Sequence, residues 1–135
     1  MQLKTILNHV TDYKSFVFKK VTWLEGSVSP AVEVHIVPRR NGLRICSGCG
    51  QVRPGYDTML EPRRFEFVPL WGIMVQFVYQ MRRVQCPDCG IKVERVPWAE
   101  GKSSLTTEYK WFLARWARRM SWKEVAVAFS VSWDH

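Results

Sequence analysis

The sequence CSGCG at residues 46–50 is matched by CPDCG at residues 86–90, and these two stretches contain all four cysteines of the chain. Two residues between paired cysteines allow one tight turn to direct both sulfur atoms at the same metal ion. The glycine that follows each pair permits the positive φ that such a turn requires. The two stretches therefore predict one zinc ion held by Cys46, Cys49, Cys86 and Cys89.

Four thiolates complete the tetrahedral shell of zinc and leave no position for water, so the predicted zinc is structural and not catalytic. The 36 residues between Cys49 and Cys86 exceed the usual spacing of this motif. A β-hairpin over residues 64–84 would fill the gap and produce a zinc ribbon. His35 is not assigned to the metal, because the four cysteines already complete the shell.

Two other uses of paired cysteines are weighed against zinc. A disulfide framework needs an oxidising compartment, and the sequence carries no secretory signal. A redox-active C-x-x-C pair needs a thioredoxin-like βαβ setting, whereas strand patterns surround these pairs. The spacing of the cysteines and the expected reducing compartment together favour zinc.

The residues before the first cysteine pair have the patterns of one helix and two strands. Apolar residues follow a helical period over residues 3–10, and β-branched and aromatic residues dominate residues 16–24 and 32–37. GSVSP at residues 26–30 predicts the turn between the strands, and RRNG at residues 39–42 is a hairpin signal.

The middle of the chain has further strand patterns, over residues 64–68, 73–84 and 92–98. A polar linker, AEGKSS, follows at residues 99–104. The predicted fold class is therefore α+β, a β-rich zinc ribbon followed by a small helical segment. The predicted units are residues 1–45, a helix and β-hairpin leading into the ribbon; residues 46–98, the ribbon with its inserted hairpin; and residues 104–135, a partial helix-turn-helix.

The helical segment carries the strongest periodic signal. Apolar residues from Tyr109 to Met120 fall on one helical stripe that includes Trp116, and a second stripe begins at Trp122. Both tryptophans are therefore expected in the core, whereas Trp111 is expected on the surface.

Ser121 and Glu124 fit a capping box, so a second helix is expected to start at Trp122. Ser132 is placed as the next N-cap, with a third helix starting at Trp133. Two helices, each followed by a turn, and then the start of a third helix form the layout of a helix-turn-helix. The third helix of such a unit would read DNA. The alternative is an ordinary helical hairpin that packs on the ribbon.

The charge of the chain points to a polyanionic partner. Twenty basic residues against twelve acidic ones give a net charge of +8. No apolar run approaches the roughly 20 residues needed to span a bilayer. We therefore expect a cytoplasmic protein with no membrane partner.

The order of a strand-rich start, CSGCG, RRVQCPDCG, ERVPWA and SWKEVAVAFSVSWDH resembles the N-terminal part of ISL-three family insertion-sequence transposases. The resemblance covers nearly the whole chain and is most specific in residues 82–98 and 121–134. It implies a zinc ribbon and a helix-turn-helix that bind the terminal inverted repeats of a transposon. It also implies a truncated transposase, because the family's catalytic domain would follow His135, and therefore no enzyme activity.

Double-stranded DNA is accordingly the expected partner, with self-association or full-length transposase as further candidates and no small-molecule substrate. Lys110 and Arg115 would extend the basic surface onto the helices. With so little of the third helix, we expect weak, salt-dependent binding with little sequence preference. The expected DNA-contacting residues are Arg39, Arg40, Arg44, Arg63, Arg64, Arg82, Arg83, Arg118, Arg119, Lys123, Ser132 and Trp133.

The rival interpretation is a zinc-stabilised protein-interaction domain, or an inhibitory transposase fragment. The seven tryptophans of the chain support it, because aromatic residues are enriched at protein interfaces.

Overall fold

A computed structural model describes residues 3–11, 13, 15–26, 30–40, 42–70 and 72–129 of the chain. Strands and helices are both present, and the predicted α+β class is confirmed. The elements in chain order are α1 (Leu3–Val10), β1 (Phe16–Trp23), β2 (Ala31–Pro38), β3 (Gly55–Thr58), β4 (Arg63–Leu70), β5 (Ile73–Tyr79), β6 (Arg82–Cys86), β7 (Gly90–Val93), α2 (Thr107–Ala117) and α3 (Trp122–Phe129).

Four strands form the larger sheet, in the order β1-β2-β5-β4. The pairs β1–β2 and β4–β5 are antiparallel, whereas β2 and β5 run parallel, with Val34 opposite Phe77. A hairpin thus does lie between the cysteine pairs, as β4–β5, but it pairs with β2. The larger sheet therefore takes strands from both sides of the predicted boundary at residue 45.

Three short strands form the second sheet, in the order β3-β6-β7 with antiparallel pairing. We call this sheet, with the cysteine turns at its end, the ribbon. The single strand predicted over residues 73–84 is wrong, because the chain leaves the larger sheet after Tyr79 and begins β6 at Arg82. The strand predicted over residues 92–98 is also too long, since β7 ends at Val93.

The hairpin signal at residues 39–42 does not produce a hairpin. Asn41 lies outside the described residues. The next strand after this turn is β3, whereas the partners of β2 are β1 and β5. Instead, the chain continues to Ile45 and Cys46, which form single bridges with Val52 and Glu94. The turn therefore leads from the larger sheet into the ribbon.

The main core lies on one face of the larger sheet and is centred on Trp98. This side chain is fully buried, although it comes from the segment that joins the ribbon to the helices. Its ring lies 5.0 Å from Phe16, 5.2 Å from Tyr79, 5.6 Å from Tyr13 and 5.8 Å from Phe65, measured between centroids. Tilted and edge-to-face contacts of this kind add to the stabilisation from burial.

A buried ion pair joins the core to the ribbon. The Glu94 carboxylate has no exposed surface, and Arg82 donates to both of its oxygens, from Nε at 2.9 Å and from Nη2 at 2.8 Å. The Tyr79 hydroxyl donates to Glu94 Oε2 at 2.7 Å. Burial, together with this bond, raises the pKa of Tyr79, so its hydroxyl keeps the proton that it donates.

The helical segment docks on the edge strand β4. The backbone N–H of Glu66 donates to Ser104, and the N–H of Thr106 donates back to Glu66, which extends the sheet by a short parallel contact. Thr106 then caps α2 through a bond from the Tyr109 N–H at 3.2 Å. A small second core of Leu105, Tyr109, Leu113 and Val125 closes against partly buried Val68.

The start predicted for the second helix is confirmed, because α3 begins at Trp122 and the Glu124 N–H donates to the Ser121 hydroxyl at 3.2 Å. The burial predicted for two tryptophans is wrong: Trp116 is 43% exposed and Trp122 is 51% exposed. Tyr109, Leu113 and Val125 already fill the small second core. Trp111 is exposed, as predicted. The third helix, with Ser132 and Trp133, lies outside the described residues.

Replacement of Trp98 tests the position of the core. Trp98→Ala should destabilise the protein by about 3–5 kcal/mol, because four neighbouring rings lose a fully buried partner. Trp111→Ala removes the same side chain from an exposed helix position and should change stability by about 0.5 kcal/mol or less. Urea denaturation followed by circular dichroism measures both. Equal losses in the two variants would contradict this description of the core.

Candidate metal centre

The first cysteine turn, which we call the first knuckle, comprises residues 46–50. Its ends are joined by main-chain bonds from Gly50 N–H to the Cys46 carbonyl and from Cys46 N–H to the Gln51 carbonyl, both at 2.9 Å. Gly50 has a φ of 76°, the left-handed conformation predicted from the motif. This closed turn places Cys46 and Cys49 on the same side of the chain.

The second knuckle comprises residues 86–90 and joins β6 to β7. Cys86 and Gly90 are paired across the end of this hairpin, and Gly90 has a φ of 81°. The Cys89 N–H points at the Cys86 sulfur at 3.4 Å, just as the Gly48 N–H points at the Cys46 sulfur at 3.3 Å. The two knuckles therefore repeat one local geometry at the same end of the ribbon.

The four sulfur atoms meet within 4.8 Å of one another. Cys49 Sγ and Cys86 Sγ, one from each knuckle, are 3.7 Å apart. Four sulfurs around a tetrahedral ion with metal–sulfur bonds of about 2.3 Å are separated by about 3.8 Å, so the cluster fits one metal ion. No other cluster of three or more possible ligands occurs in the part of the chain that the structure describes.

All four cysteines are free. A metal site needs unbonded sulfurs, whereas a disulfide framework would join them in pairs. His35 lies in the larger sheet, where its Nε2 is 3.5 Å from Glu33 Oε2. Cys46 and Cys86 are buried, whereas Cys49 and Cys89 are partly exposed. A metal ion would thus be closed off on its inner side and reached from solvent past two sulfurs.

The backbone N–H groups prepare two of the thiols for metal binding. Burial acts to raise the pKa of Cys86, but N–H bonds from Cys89 and Asp88 outweigh it and lower the pKa to about 6. A backbone N–H bond from Cys49 is the main reason that the pKa of Cys46 is lowered. Burial, with Cys86 and Cys46 close by, raises the pKa of Cys89 to about 12, so this thiol deprotonates after those of Cys86 and Cys46.

Gly48 is a functional residue that the sequence analysis missed. A Cβ atom at this position would lie 2.8 Å from the Cys89 sulfur and 3.6 Å from the Cys46 sulfur. Only a residue without a side chain therefore lets the second knuckle approach the first. The motif drew attention to the glycine after each pair, while Gly48 is needed for close approach and not for its φ.

Arg82 must be removed from the expected phosphate-binding residues. It is 8% exposed, and two nitrogens of its guanidinium, Nε and Nη2, donate to the Glu94 carboxylate. A buried group held in this way cannot reach a phosphate without leaving an unpaired charge in the core. Arg82 and Arg83 are consecutive residues of β6, so they lie on opposite faces of the strand and do not form one basic surface.

Four more of the expected contacts take part in bonds within the protein. Arg83 pairs with Asp57, and Arg64 pairs with Glu33. Arg44 donates to the carbonyl oxygen of Arg83 at 3.2 Å. Arg63 similarly donates to the carbonyl oxygens of Gly101 and Ser103, at 3.1 Å and 2.8 Å.

Five further expected contacts are exposed. Arg39 and Arg40 follow β2, and Arg118, Arg119 and Lys123 lie at the junction of α2 and α3. None of these five forms an ion pair with another residue that the structure describes. Ser132 and Trp133 lie outside the described residues. The structure thus divides the expected contacts into an internally bonded set around the sheets and an exposed set after β2 and on the helices.

A shallow groove lies at the end of α2 and is lined by Arg115, Trp116, Arg118 and Arg119. All four side chains are exposed, so the groove combines three guanidinium groups with one indole face. Guanidinium groups bind phosphate oxygens, and an indole can stack on a planar group next to the phosphate.

Protein-family models, characterised proteins and solved structures were compared with this chain, and none matched. Among the described residues, the helices are all too short or too polar to cross a membrane.

Replacement of Gly48 tests the approach of the two knuckles. Gly48→Ala should lower the affinity for metal at least tenfold, because the added methyl group displaces the Cys89 sulfur. Ser47→Ala is the matched control, since this neighbouring side chain is exposed and should leave the affinity unchanged. Competition with a chromogenic chelator measures both. Wild-type affinity in Gly48→Ala would contradict the observed packing.

Removal of the metal should unfold the ribbon before the larger sheet. Only Val84 and the cysteines form the interior of the ribbon, whereas the larger sheet has its own aromatic core. Amide hydrogen exchange after chelation should show lost protection in β6 and β7 and retained protection in β2 and β5. Uniform loss across both sheets would show that they do not unfold separately.

Proposed function

We propose that this chain is a zinc-dependent DNA-binding module of the ISL-three transposase type, which in a complete transposase recognises the terminal inverted repeats. The convergence of four cysteine sulfurs at the end of a β-ribbon is the observation that carries the proposal. Under this proposal the protein is cytoplasmic and associated with the nucleoid. In this proposal the module binds DNA and performs no chemistry on it.

Zinc is the metal that best fits the donor set. Four thiolates in a tetrahedral arrangement favour zinc or an iron–sulfur centre over hard cations such as magnesium or calcium. The 3.7 Å separation of Cys49 and Cys86 matches the sulfur spacing around a single ion. The closed shell gives the zinc a structural role, namely to hold the ribbon in a fixed shape.

The distribution of charge supports DNA as the partner. The net charge of the chain is +8, and a polyanion is attracted to such a surface at long range. Internal bonds occupy the arginines of the sheets, whereas Arg115, Arg118, Arg119 and Lys123 are exposed at the α2–α3 junction. The junction holds four exposed cations, against two (Arg39 and Arg40) after β2, and is therefore the surface where we place the phosphate contacts.

Removal of this charge should weaken duplex binding and reduce its dependence on salt. Substitution of Arg115, Arg118, Arg119 and Lys123 by Gln should lower the slope of log affinity against log salt by about 3 to 4, if all four residues contact phosphates. Fluorescence anisotropy with a labelled duplex, titrated at several salt concentrations, gives the slope.

The matched control replaces four other exposed cations, Lys19, Lys20, Lys92 and Lys102, by Gln. This variant has the same net charge but keeps the α2–α3 junction intact, so its salt slope should remain close to that of the wild type. Equal effects in the two variants would contradict a localised contact surface. Absence of duplex binding by the zinc-loaded wild type at low salt would overturn the proposal.

A second candidate function is protein interaction through exposed tryptophans. Trp23 is 65% exposed, Trp111 is 66% exposed and Trp122 is 51% exposed, and large aromatic side chains are favoured at protein interfaces. The partner would be a second copy or a full-length transposase, which the chain would inhibit. A stable dimer in analytical ultracentrifugation, without affinity for nucleic acid, would favour this function over DNA binding.

A further inference from the structure

Arg53 connects the two knuckles without belonging to either. Its Nη2 lies 3.1 Å from Asp88 Oδ2, and Asp88 stands between the two cysteines of the second knuckle. Arg53 itself follows the first knuckle by three residues. Its side chain is 24% exposed, whereas that of Asp88 is 73% exposed. The ion pair therefore places a largely covered cation at the metal-binding end of the ribbon.

One nitrogen of the Arg53 guanidinium, Nε, has no hydrogen-bond partner among the described protein groups. Its Nε is buried and unpaired, although a charged donor in such a position normally has an acceptor. Interaction with the Cys49 thiol, and to a smaller extent with Cys86, raises the pKa of Arg53. The guanidinium thus pairs with the second knuckle through Asp88, while its buried Nε lacks an acceptor.

The metal site needs such a cation. Four thiolates around one divalent ion leave a net charge of −2 on a cluster whose inner side is buried. A neighbouring positive charge lowers the cost of confining that charge, and an N–H donor withdraws electron density from the sulfur that accepts it. Groups that contact the ligands of a metal commonly change the affinity of the site for that metal by about 10–100-fold.

We infer that Arg53 is a positioning residue for the metal centre, which pairs with the second knuckle through Asp88 and whose guanidinium compensates the charge of the thiolate cluster. The inference rests on the proposed zinc site and deepens it. Asp88 has the subordinate role of orienting the guanidinium from its exposed side. Arginine suits this role better than lysine, because its planar group can bond a carboxylate and face a sulfur at the same time.

The test compares Arg53→Gln, Arg53→Lys and Asp88→Asn, with Lys102→Gln as an exposed control for the loss of one positive charge. Co²⁺ is titrated into the reduced, metal-free full chain, and Zn²⁺ affinity is then obtained by displacement. Arg53→Gln should weaken metal binding about 10–100-fold, and Arg53→Lys should weaken it less. Asp88→Asn and Lys102→Gln should remain within about threefold of the wild type, because both keep the Arg53 charge.

A spectroscopic measurement separates a direct effect on the sulfurs from a general loss of stability. The sulfur-to-cobalt charge-transfer band should move to lower energy in Arg53→Gln, since the thiolate loses its neighbouring cation, and should stay in place in Asp88→Asn. If Arg53→Gln cannot be folded, Arg53→Lys against Asp88→Asn still decides: a smaller shift is expected in the lysine variant alone, because lysine keeps the charge but loses the planar group that can face a carboxylate and a sulfur together.

Equal weakening in Arg53→Gln and Asp88→Asn would overturn the inference, because it would show a simple clamp between knuckles. Unchanged affinity and an unchanged band in Arg53→Gln would overturn it as well. Failure of the wild type to bind Co²⁺ or Zn²⁺ would instead overturn the metal site itself. No readout involves DNA, so the outcome is independent of the test for duplex binding.

Discussion

The convergence of four sulfur atoms is the constraint on which the ribbon depends. Its strands have only four or five residues each, and its interior consists of Val84 and the cysteines. So few apolar groups cannot offset the entropy of ordering the two knuckles. A structural zinc ion contributes on the order of 10–16 kcal/mol in such sites, which equals or exceeds the total stability of a typical domain. We therefore expect metal binding at the four cysteines to be coupled to the folding of the ribbon.

The ribbon is attached to the larger sheet at a place that controls its orientation. Only two residues separate the end of β5 from the start of β6, so the two sheets cannot move far apart along the chain. Next to this break, Glu94 of the ribbon accepts bonds from Tyr79 of the larger sheet and from Arg82. A buried ion pair gives little net stability, but breaking it is costly, so it favours a single arrangement of the two sheets. The metal site is thereby held in a defined position relative to the aromatic core.

Local sequence patterns predicted the local elements and missed the long-range ones. The C-x-x-C-G motif predicted the knuckles and the positive φ of Gly50 and Gly90, the helical period located α1 and α2, and the capping box located the start of α3. The parallel pairing of β2 with β5 joins distant segments, and no periodicity records such a partner. The break after Tyr79 was hidden because residues 73–84 continue one alternating pattern across two sheets.

Burial of aromatic residues was the least predictable feature. Trp98 lies in a short connecting segment without periodicity, yet it occupies the centre of the core, where four rings meet it. Trp116 and Trp122 lie on apolar helical stripes but remain exposed, because α2 and α3 enclose a core too small for them. A helical period identifies the side that faces a neighbour. How much of that side is covered depends on the size of the neighbour, which is a tertiary property.

The same reasoning applies to charge, because neighbours in the sequence need not share a surface. Adjacent arginines in the sequence suggested a basic ribbon, but strand geometry separates such neighbours onto opposite faces, as it does for Arg82 and Arg83. Each then meets its own acidic residue, Glu94 or Asp57. These pairs neutralise two cations of the ribbon, whereas the basic residues at the helical junction are exposed and form no ion pair with another residue that the structure describes. Which arginines stay exposed therefore depends on tertiary pairing, and a run of basic residues in the sequence does not show it.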